Sequence, residues 1–426
     1  MPSSEFALHG LARVVFNLGI MSDRADAVVI GAGAFGASVA FHLARRGQKV
    51  ALLERHAIAS QTSPRAAGLT QQIRTDPLMT RLAVRSVAKI EQFQTDTGEP
   101  LDFHQPGSLK LARTPQFVPQ IADEIERGRH AGLEIHSVSA REANELAPFL
   151  HADNALALWY NPTDLYLEPG DLPRAYVRAA EKLGASIQAH TAVTAVGTRN
   201  GAIERVVTER GEIETPVVVD AAGAWAALVA DMTGIRVPIV PTRHQLYITR
   251  PIDGIDARQP IVRVLDVNVY VRPERGGLML GGYEPDPLQV DMRSVSDDFQ
   301  IQDLALDFEP LRRLTNAVSD EFPVLQSAEV AEFRGGLPTM TADGRHIVDR
   351  VPGVDGLFVA SGCCVGGLSI SPAVGEVLAD WVVDGRPAED VASLSISRFG
   401  PELASDERLR ERCLWRYAHH YSDEQQ

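Results

Sequence analysis

Cysteine is scarce in this chain: three in 426 residues, Cys363, Cys364 and Cys413. Three thiols cannot build a disulfide framework, and their scarcity suits a reducing compartment. The adjacent Cys363 and Cys364 read as two small side chains on a loop rather than a strained vicinal bridge. Positive charge is also in deficit, with 41 Lys and Arg against 56 Asp and Glu, a net charge of −15. No basic run rises above that field, so nucleic acid and anionic membrane surfaces are not expected partners. No apolar stretch approaches the ~18–20 uncharged residues that a bilayer-spanning helix needs, so no transmembrane segment is expected. Residues 1–20 lack the basic start and continuous apolar core of a secretory signal, and a cytoplasmic location is the expectation. Met21-Ser-Asp-Arg runs straight into the first apolar segment, which makes Met21 a candidate natural start; a short amphipathic arm is the alternative. There is no internal repeat, no low-complexity linker and no pattern of metal ligands.

What is present is an ordinary globular composition, 45% hydrophobic and 23% charged, in a chain long enough for a large core in two lobes. The most informative stretch is Asp26-Ala-Val-Val-Ile-Gly31-Ala-Gly33-Ala-Phe-Gly36, followed by Glu54. It reads as a strand, a glycine turn, a helix from Ala34 to Arg46 and a second strand from Lys49 to Leu53 that ends in an acid. Gly31 serves the tight turn, Gly33 the approach of backbone to a pyrophosphate, and Gly36 the packing of helix on strand. The helix start offers N–H groups and the positive dipole end to phosphates, and Glu54 accepts from a ribose diol. These residues predict a bound dinucleotide.

Further along, Thr80 to Thr97 has the apolar spacing of a helix, Phe103 to Leu111 that of a hairpin around Pro106-Gly107, and Gln116 to Arg129 again that of a helix. Asp171 is the expected cap of a helix that carries Pro173 in its first turn and stops at Gly184. Strands are expected at Ser186 to Ala189 and at Ala192 to Thr194. Pro216 to Asp220, followed by Ala221-Ala-Gly223-Ala-Trp225, is a second strand, glycine turn and helix that would extend the first sheet. From Val237 to Pro287 the pattern turns to alternating strands at Gln245 to Thr249, Val269 to Arg272 and Gly277 to Gly281, as in an antiparallel sheet lining a cavity. A third strand, glycine turn and helix runs from Gly356 through Gly362, Gly366 and Gly367 to Trp381. A nucleotide lobe built from separated segments argues against an ordinary nicotinamide dehydrogenase, whose nucleotide domain is one continuous block.

Five stretches besides the opening fingerprint resemble the D-amino-acid oxidase superfamily of FAD-dependent amine oxidoreductases, and within it the flavin part of dimethylglycine and sarcosine dehydrogenases. They are Arg65-Ala-Ala-Gly68-Leu; Val219-Asp-Ala-Ala-Gly223-Ala-Trp225; Pro241-Thr-Arg-His244-Gln-Leu-Tyr247; Gly336-Leu-Pro-Thr-Met-Thr341-Ala-Asp343-Gly; and the closing glycine loop. The tail, with Arg398-Phe-Gly-Pro401, Arg412 and His419-His420-Tyr421, is similar too. The resemblance implies an α/β, two-lobe fold of the glutathione-reductase-like kind. A Rossmann-like FAD domain would comprise 25–78, 165–235 and 330–395, an antiparallel-sheet substrate domain 79–164 and 236–329, with 1–24 an extension and 396–426 a tail.

The resemblance assigns FAD to Gly31, Ala32, Gly33, Ala34, Phe35 and Gly36, with Glu54 and Arg55 at the ribose and Val193 at adenine. Arg65, Ala66, Ala67, Gly68, Leu69 and Thr70 would run along the flavin, with Ala222, Gly223, Trp225, Gly335 and Gly336 completing the cradle. Gly362, Cys363, Cys364, Gly366, Gly367 and Leu368 would meet its pyrimidine side, where N–H groups and a helix dipole favour an anionic reduced flavin. Pro64-Arg65 stands where several relatives carry a flavin-linked histidine, and no cysteine lies near Gly336, so a non-covalent cofactor is expected unless Cys363 or Cys364 forms the link. Met279 falls where monomeric sarcosine oxidases place a lysine that promotes reaction with oxygen, which favours a dehydrogenase. The larger relatives continue into a folate-binding domain, whereas this sequence stops at Gln426, so formaldehyde or imine would be released or passed on.

His244 and Tyr270 are the candidate proton-handling residues, since the substrate nitrogen must be neutral when hydride leaves. Each has a structural alternative, a satisfied strand histidine and a core aromatic. Gly336-Leu337-Pro338 lacks the arginine that glycine-oxidase-like relatives use as a carboxylate clamp. Arg74, Arg272, Arg334 and Arg65 are candidate replacements, with Tyr247 a further substrate contact. The expected activity is oxidation of a secondary or tertiary amine, such as an N-methyl amino acid, with oxygen, a quinone or an electron-transfer flavoprotein as acceptor. Oxidation of D-amino acids, glycine or proline is the alternative, and a flavin-binding subunit inactive outside a heteromeric complex is the alternative of another class. Monomer and homodimer are equally open.

Overall fold

The computed structural model describes residues 24–422, so Met21 and the amphipathic-arm reading of residues 1–20 lie outside it. A six-stranded sheet has the order Ile347–Arg350, Leu357–Ser361, Val218–Asp220, Ala27–Ile30, Val50–Leu53, Ser186–Gln188. Five strands are parallel, and Ile347–Arg350 is antiparallel at one edge. Both faces are covered, which is why these strands are almost uniformly Val, Ile, Leu and Ala. The two-residue period sends Ala27, Val29, Val50 and Leu52 into one core, and Val28, Ile30, Ala51 and Leu53 into another. Helices Ala34–Arg45, Asp171–Lys182 and Gly367–Asp384 fill the first side. A three-stranded sheet (Val193–Arg199, Ala202–Thr208, Gly211–Glu214) and helix Ala226–Asp231 fill the second.

The second large sheet has eight strands, in the order Val330–Gly336, His244–Thr249, Gly277–Gly282, Val269–Glu274, Ile261–Val264, Ser108–Ala112, Ala157–Asn161, His136–Ser137. All neighbours are antiparallel except Ile261–Val264 against Ser108–Ala112. One face is an apolar core that includes Leu109, Tyr247, Val262, Val271 and Leu280. The alternate residues, among them Lys110, His244, Arg263, Tyr270 and Arg272, point the other way. That polar face positions the site.

Three local expectations are corrected. The helix read as Thr80 to Thr97 is two pieces, Pro77–Glu91 and Phe93–Thr97. Its true start is set by Asp76, whose side chain accepts from the N–H groups of Leu78 at 2.8 Å and Met79 at 3.3 Å, with Pro77 in the first turn. Residues 103–111 form no hairpin: Ser108–Ala112 pairs instead with Ala157–Asn161 and Ile261–Val264. A Pro-Gly pair marks a bend, but the partner strand is chosen by burial far away in sequence. Asp171 is the first helical residue, bonded to Arg174 at 2.9 Å, and Gly170 holds the cap position.

The C-terminal segment closes over the polar face of the eight-stranded sheet. Helix Asp406–Ala418 is capped by Ser405. Asn268 then donates to the carbonyl of Ala418 at 3.1 Å and accepts from the N–H of Tyr421 at 3.0 Å. Among the described residues no helix is long and apolar enough to cross a membrane.

Candidate active site

The first cavity, of about 650 Å³, opens at the carboxyl ends of the parallel strands. Gly31, Gly33, Glu54, Arg55, Val193, Ala222, Gly223 and Trp225 line it. Gly31 has φ of 101°, and a Cβ there would lie 2.5 Å from the Ala221 carbonyl oxygen, so only glycine makes this turn. Glu54 accepts from the N–H of Ala32 at 2.9 Å and of His56 at 2.8 Å, one on each carboxylate oxygen, which aims the remaining lone pairs into the cavity. Burial raises the Glu54 carboxyl above its usual range. The helix at Ala34 has no acid in its first turn, and the Ser63 hydroxyl lies 3.1 Å from the Ala34 N–H. Buried His56 Nε2 has no partner.

Thr62, Ser63, Ala221 and Gly223 are shared with a second chamber of about 150 Å³. Ala66, Ala67, Gly68 and Leu69 form one wall, with Ala34 and Phe35 nearby; Cys363, Gly366, Gly367 and Leu368 form another. Helix Gly367–Asp384 begins here with no side-chain cap and no first-turn acid, so its N–H groups and dipole serve the chamber. The loop before it holds Cys364 at φ 42° and Val365 at φ 64°, left-handed for non-glycine residues, which is strain stored beside a cavity. Ser361 Oγ is buried there without a partner.

The sheet contributes His244, Tyr270 and Tyr283 to this chamber, and the tail contributes His420 and Tyr421. His244 Nδ1 lies 2.7 Å from the Tyr417 hydroxyl, and Nε2 lies 2.9 Å from that of Tyr270. Burial pushes the imidazole down to about 3, so it is neutral at physiological pH, and it raises the Tyr270 phenol far above its usual value. A neutral imidazole donates from one nitrogen and accepts at the other, so the three groups form one hydrogen-bonded chain. Tyr283 stacks on His420 with ring centroids 3.9 Å apart.

Arg74 enters the same chamber. Its guanidinium reaches Ser369 Oγ at 3.3 Å, Nε is buried without a partner, and among the described residues no carboxylate pairs with it. Arg65 also lines the chamber, but its Nη1 is bound by the carbonyls of Ser60 and Gln61.

Other expected site residues lie elsewhere. Tyr247 is one residue out of phase with His244 and Leu246, faces the opposite core and bonds Thr315 at 2.9 Å. Arg272 is fully buried, paired with Glu274 at 2.5 Å, bonded to the Ala67 carbonyl at 2.8 Å and laid over the Tyr166 ring. Arg334 pairs with Glu332 at 2.5 Å and Glu168 at 3.5 Å. Thr70 turns away to Asp164 and Leu165 because it alternates with the chamber residues Leu69 and Gln71. Ala32 and Gly36 sit beneath the nucleotide cavity, the latter against the Gly31 carbonyl. Gly335 faces Leu306, Gly362 faces Thr341, and Cys364 is buried beside Thr341 with its thiol pushed up to about 12, whereas Gly336 does reach the chamber.

The reading of the sequence missed Tyr283, Tyr417, Gln71 and Arg263. Arg263 donates to the Thr70 carbonyl at 2.5 Å and, with Arg272, ties the loop of Ala66 to Thr70 to the sheet. Nothing local in the sequence marks a tail tyrosine as reaching His244.

A glycine turn, a buried acid at the cavity edge and an apolar chamber at a helix start are the features of a dinucleotide-binding lobe. Residues 26–381 match the FAD dependent oxidoreductase family, and the chain belongs to it. Its cofactor is FAD, and the unpartnered Ser361 and His56 atoms together with the Gly31 turn fit a polar dinucleotide. The chain is 32% identical over 410 residues to mitochondrial sarcosine dehydrogenase of Mus musculus, covering 94% of this chain and 44% of that protein. It is 32% identical over 387 residues to mitochondrial dimethylglycine dehydrogenase of Rattus norvegicus, covering 89% and 45%. The chain thus spans about half the length of these relatives. The crystal structure of L-proline dehydrogenase from P. horikoshii superposes with a TM-score of 0.80 at 27% identity, covering 89% of this chain and 98% of that one.

Proposed function

We propose that this protein oxidises the C–N bond of a secondary or tertiary amine bearing a carboxylate, an N-methyl amino acid of the sarcosine or dimethylglycine type. The observation that carries this reading is Arg74, a chamber arginine with which no carboxylate pairs among the described residues, facing the same space as the Tyr270–His244 pair. The nucleotide-holding segments are taken as 25–78, 165–235 and 330–395, and the remaining sheet as the substrate side. FAD, when bound, supplies the two-electron acceptor for the hydride leaving the carbon beside nitrogen.

Arg74 binds the substrate carboxylate, replacing the clamp missing from Gly336-Leu337-Pro338. The amine is bound neutral, since an imidazole held at about 3 by burial cannot keep an ammonium's proton. Tyr270, its hydroxyl fixed against His244 Nε2 and kept from ionising by burial, faces the amine and orients it. His244 therefore works through Tyr270 rather than as a direct base, since hydroxyls occupy both ring nitrogens. Tyr283, His420 and Tyr421 roof the chamber and limit water until the imine departs to hydrolysis. We read the cofactor as non-covalent, because burial raises the Cys363 thiol and weakens it as a nucleophile. Dehydrogenase is favoured over oxidase, since Met279 is packed with Leu246 and Ile248 and adds no cation to the chamber. A reducing compartment, cytoplasmic in our reading, suits the three free thiols.

Oxidation of a cyclic imino acid is the second reading, supported by the likeness to L-proline dehydrogenase. Dye reduction and peroxide release should be compared across sarcosine, dimethylglycine, proline, glycine and D-alanine. The first reading expects the N-methyl compounds to be fastest, with dye outpacing oxygen. Fastest turnover of proline transfers the assignment to the second.

A further inference from the structure

His244 sits between two phenols that are not equivalent. Tyr417, on helix Asp406–Ala418, is fully buried, and among the described residues its hydroxyl has one hydrogen-bond partner, His244 Nδ1 at 2.7 Å. Tyr270 lies 2.9 Å from Nε2 and lines the flavin chamber, a space that Tyr417 does not border. A neutral imidazole carries one N–H, so the chain of three groups can run in either of two directions. With the proton on Nδ1, the ring donates to the Tyr417 oxygen, and the Tyr417 hydrogen is buried with no acceptor, which costs its desolvation. With the proton on Nε2, Tyr417 donates to Nδ1 and Nε2 donates to the Tyr270 oxygen. The hydrogen left over is then that of Tyr270, beside the chamber, where a ligand can accept it. This second direction leaves no buried donor of the three unmet. The Tyr417 hydroxyl is also held in place independently of His244. Arg236 pairs with Asp406 at 2.8 Å and donates to the Leu403 carbonyl at 2.6 Å, and Gln289 donates to the Arg410 carbonyl at 3.0 Å. Tyr283 meets the Tyr417 ring edge-on, with centroids 5.2 Å apart.

We propose that Tyr417 is a positioning residue, which fixes His244 in its Nε2-protonated form and so makes Tyr270 a hydrogen-bond donor to the amine. The proposal rests on the amine-oxidation reading above and deepens it. A neutral amine nitrogen has a lone pair to accept the Tyr270 hydrogen, and an ammonium has none. The direction of the chain therefore selects the form of the amine that can lose hydride, and the bond is released as that lone pair enters the C=N bond.

The test uses the FAD-loaded protein carrying histidine labelled with the heavy nitrogen isotope, its ring nitrogens followed by NMR without added amine. The His244 signals are those lost in His244→Asn. Nε2 is expected to carry the hydrogen and Nδ1 to be bare; a hydrogen on Nδ1 overturns the proposal. Tyr417→Phe keeps the ring and removes the donor. It is expected to lower the share of the Nε2-protonated form and to slow flavin reduction at saturating sarcosine at least about tenfold, with flavin content unchanged. An unchanged tautomer and an unchanged rate in that variant also overturn the proposal. If Tyr417→Phe does not fold, the tautomer in the unaltered protein decides. If no amine reduces the flavin, the oxidation reading fails, and the tautomer alone decides whether Tyr417 positions His244.

Discussion

Tyr270 reaches His244, 2.9 Å away, by crossing an intervening strand at Gly281. A Cβ on Gly281 would lie 2.8 Å from Tyr270 Cε2, so the bare backbone there is what lets the two side chains meet. Tyr270→Phe removes the hydroxyl while keeping the ring. Flavin reduction by amine is expected to slow roughly 100-fold with flavin content unchanged. Gly281→Ala should reproduce much of that loss by displacing the ring. Stopped-flow reduction of both variants checks the point, and wild-type rates in Tyr270→Phe would remove this hydroxyl from the chemistry.

Arg74→Gln is expected to weaken binding of carboxylate-bearing amines by about 10- to 100-fold, the worth of a charge-assisted hydrogen-bonded pair. The reduction rate at saturation should change little, because the clamp acts on bound substrate and transition state alike. An amine lacking a carboxylate should bind both proteins equally well. Unaltered affinity for sarcosine in the variant would contradict the assignment.

Gly31→Ala places a Cβ against the Ala221 carbonyl at a φ of 101°. The turn must shift, and the cavity beneath the cofactor with it. Purified variant is expected to carry little FAD, read from the ratio of flavin to protein absorbance. Wild-type protein should release all its colour on acid precipitation if neither Cys363 nor Cys364 is linked to the cofactor.

His244 and His346 are both buried, and burial pushes each down to about 3 from the ordinary 6.5. Above pH 6.5 neither form of the chain protonates them, and the stability they permit is complete. As pH falls from 6.5 towards 3 the unfolded chain takes up protons that the fold refuses, so stability is lost across that window. Asp220 works in the opposite sense, since burial raises it to about 8 from 3.8. Its fold-favoured protonated form costs stability as pH rises from 3.8 towards 8. Asp220→Asn should therefore raise the melting temperature more at pH 8 than at pH 5. A constant difference between those two pH values would rule out this titration.

The parts legible in the sequence were those written in contiguous residues. The strand, glycine turn, helix and second strand from Ala27 to Leu53 form as read, because each depends on neighbours a few positions away. The second and third strand-glycine-helix units joined the same sheet for the same reason. Tyr247 was misplaced because its kinship with His244 in the motif hid their opposite phase on one strand. Arg272 was misplaced because charge alone does not show whether a guanidinium meets Glu274 or a ligand. Tyr417 and Tyr421 come to the site only through the docking of Asp406–Ala418 on Asn268, a contact between segments far apart in sequence.

The central claim is tested most directly by mixing the FAD-loaded protein, without oxygen, with an N-methyl amino acid and following the flavin band. The account predicts bleaching with one equivalent of formaldehyde per flavin, slowed when the N-methyl hydrogens are deuterium. A flavin that stays oxidised against every amine, in a protein that binds FAD normally, would contradict it and leave a cofactor-holding subunit in its place.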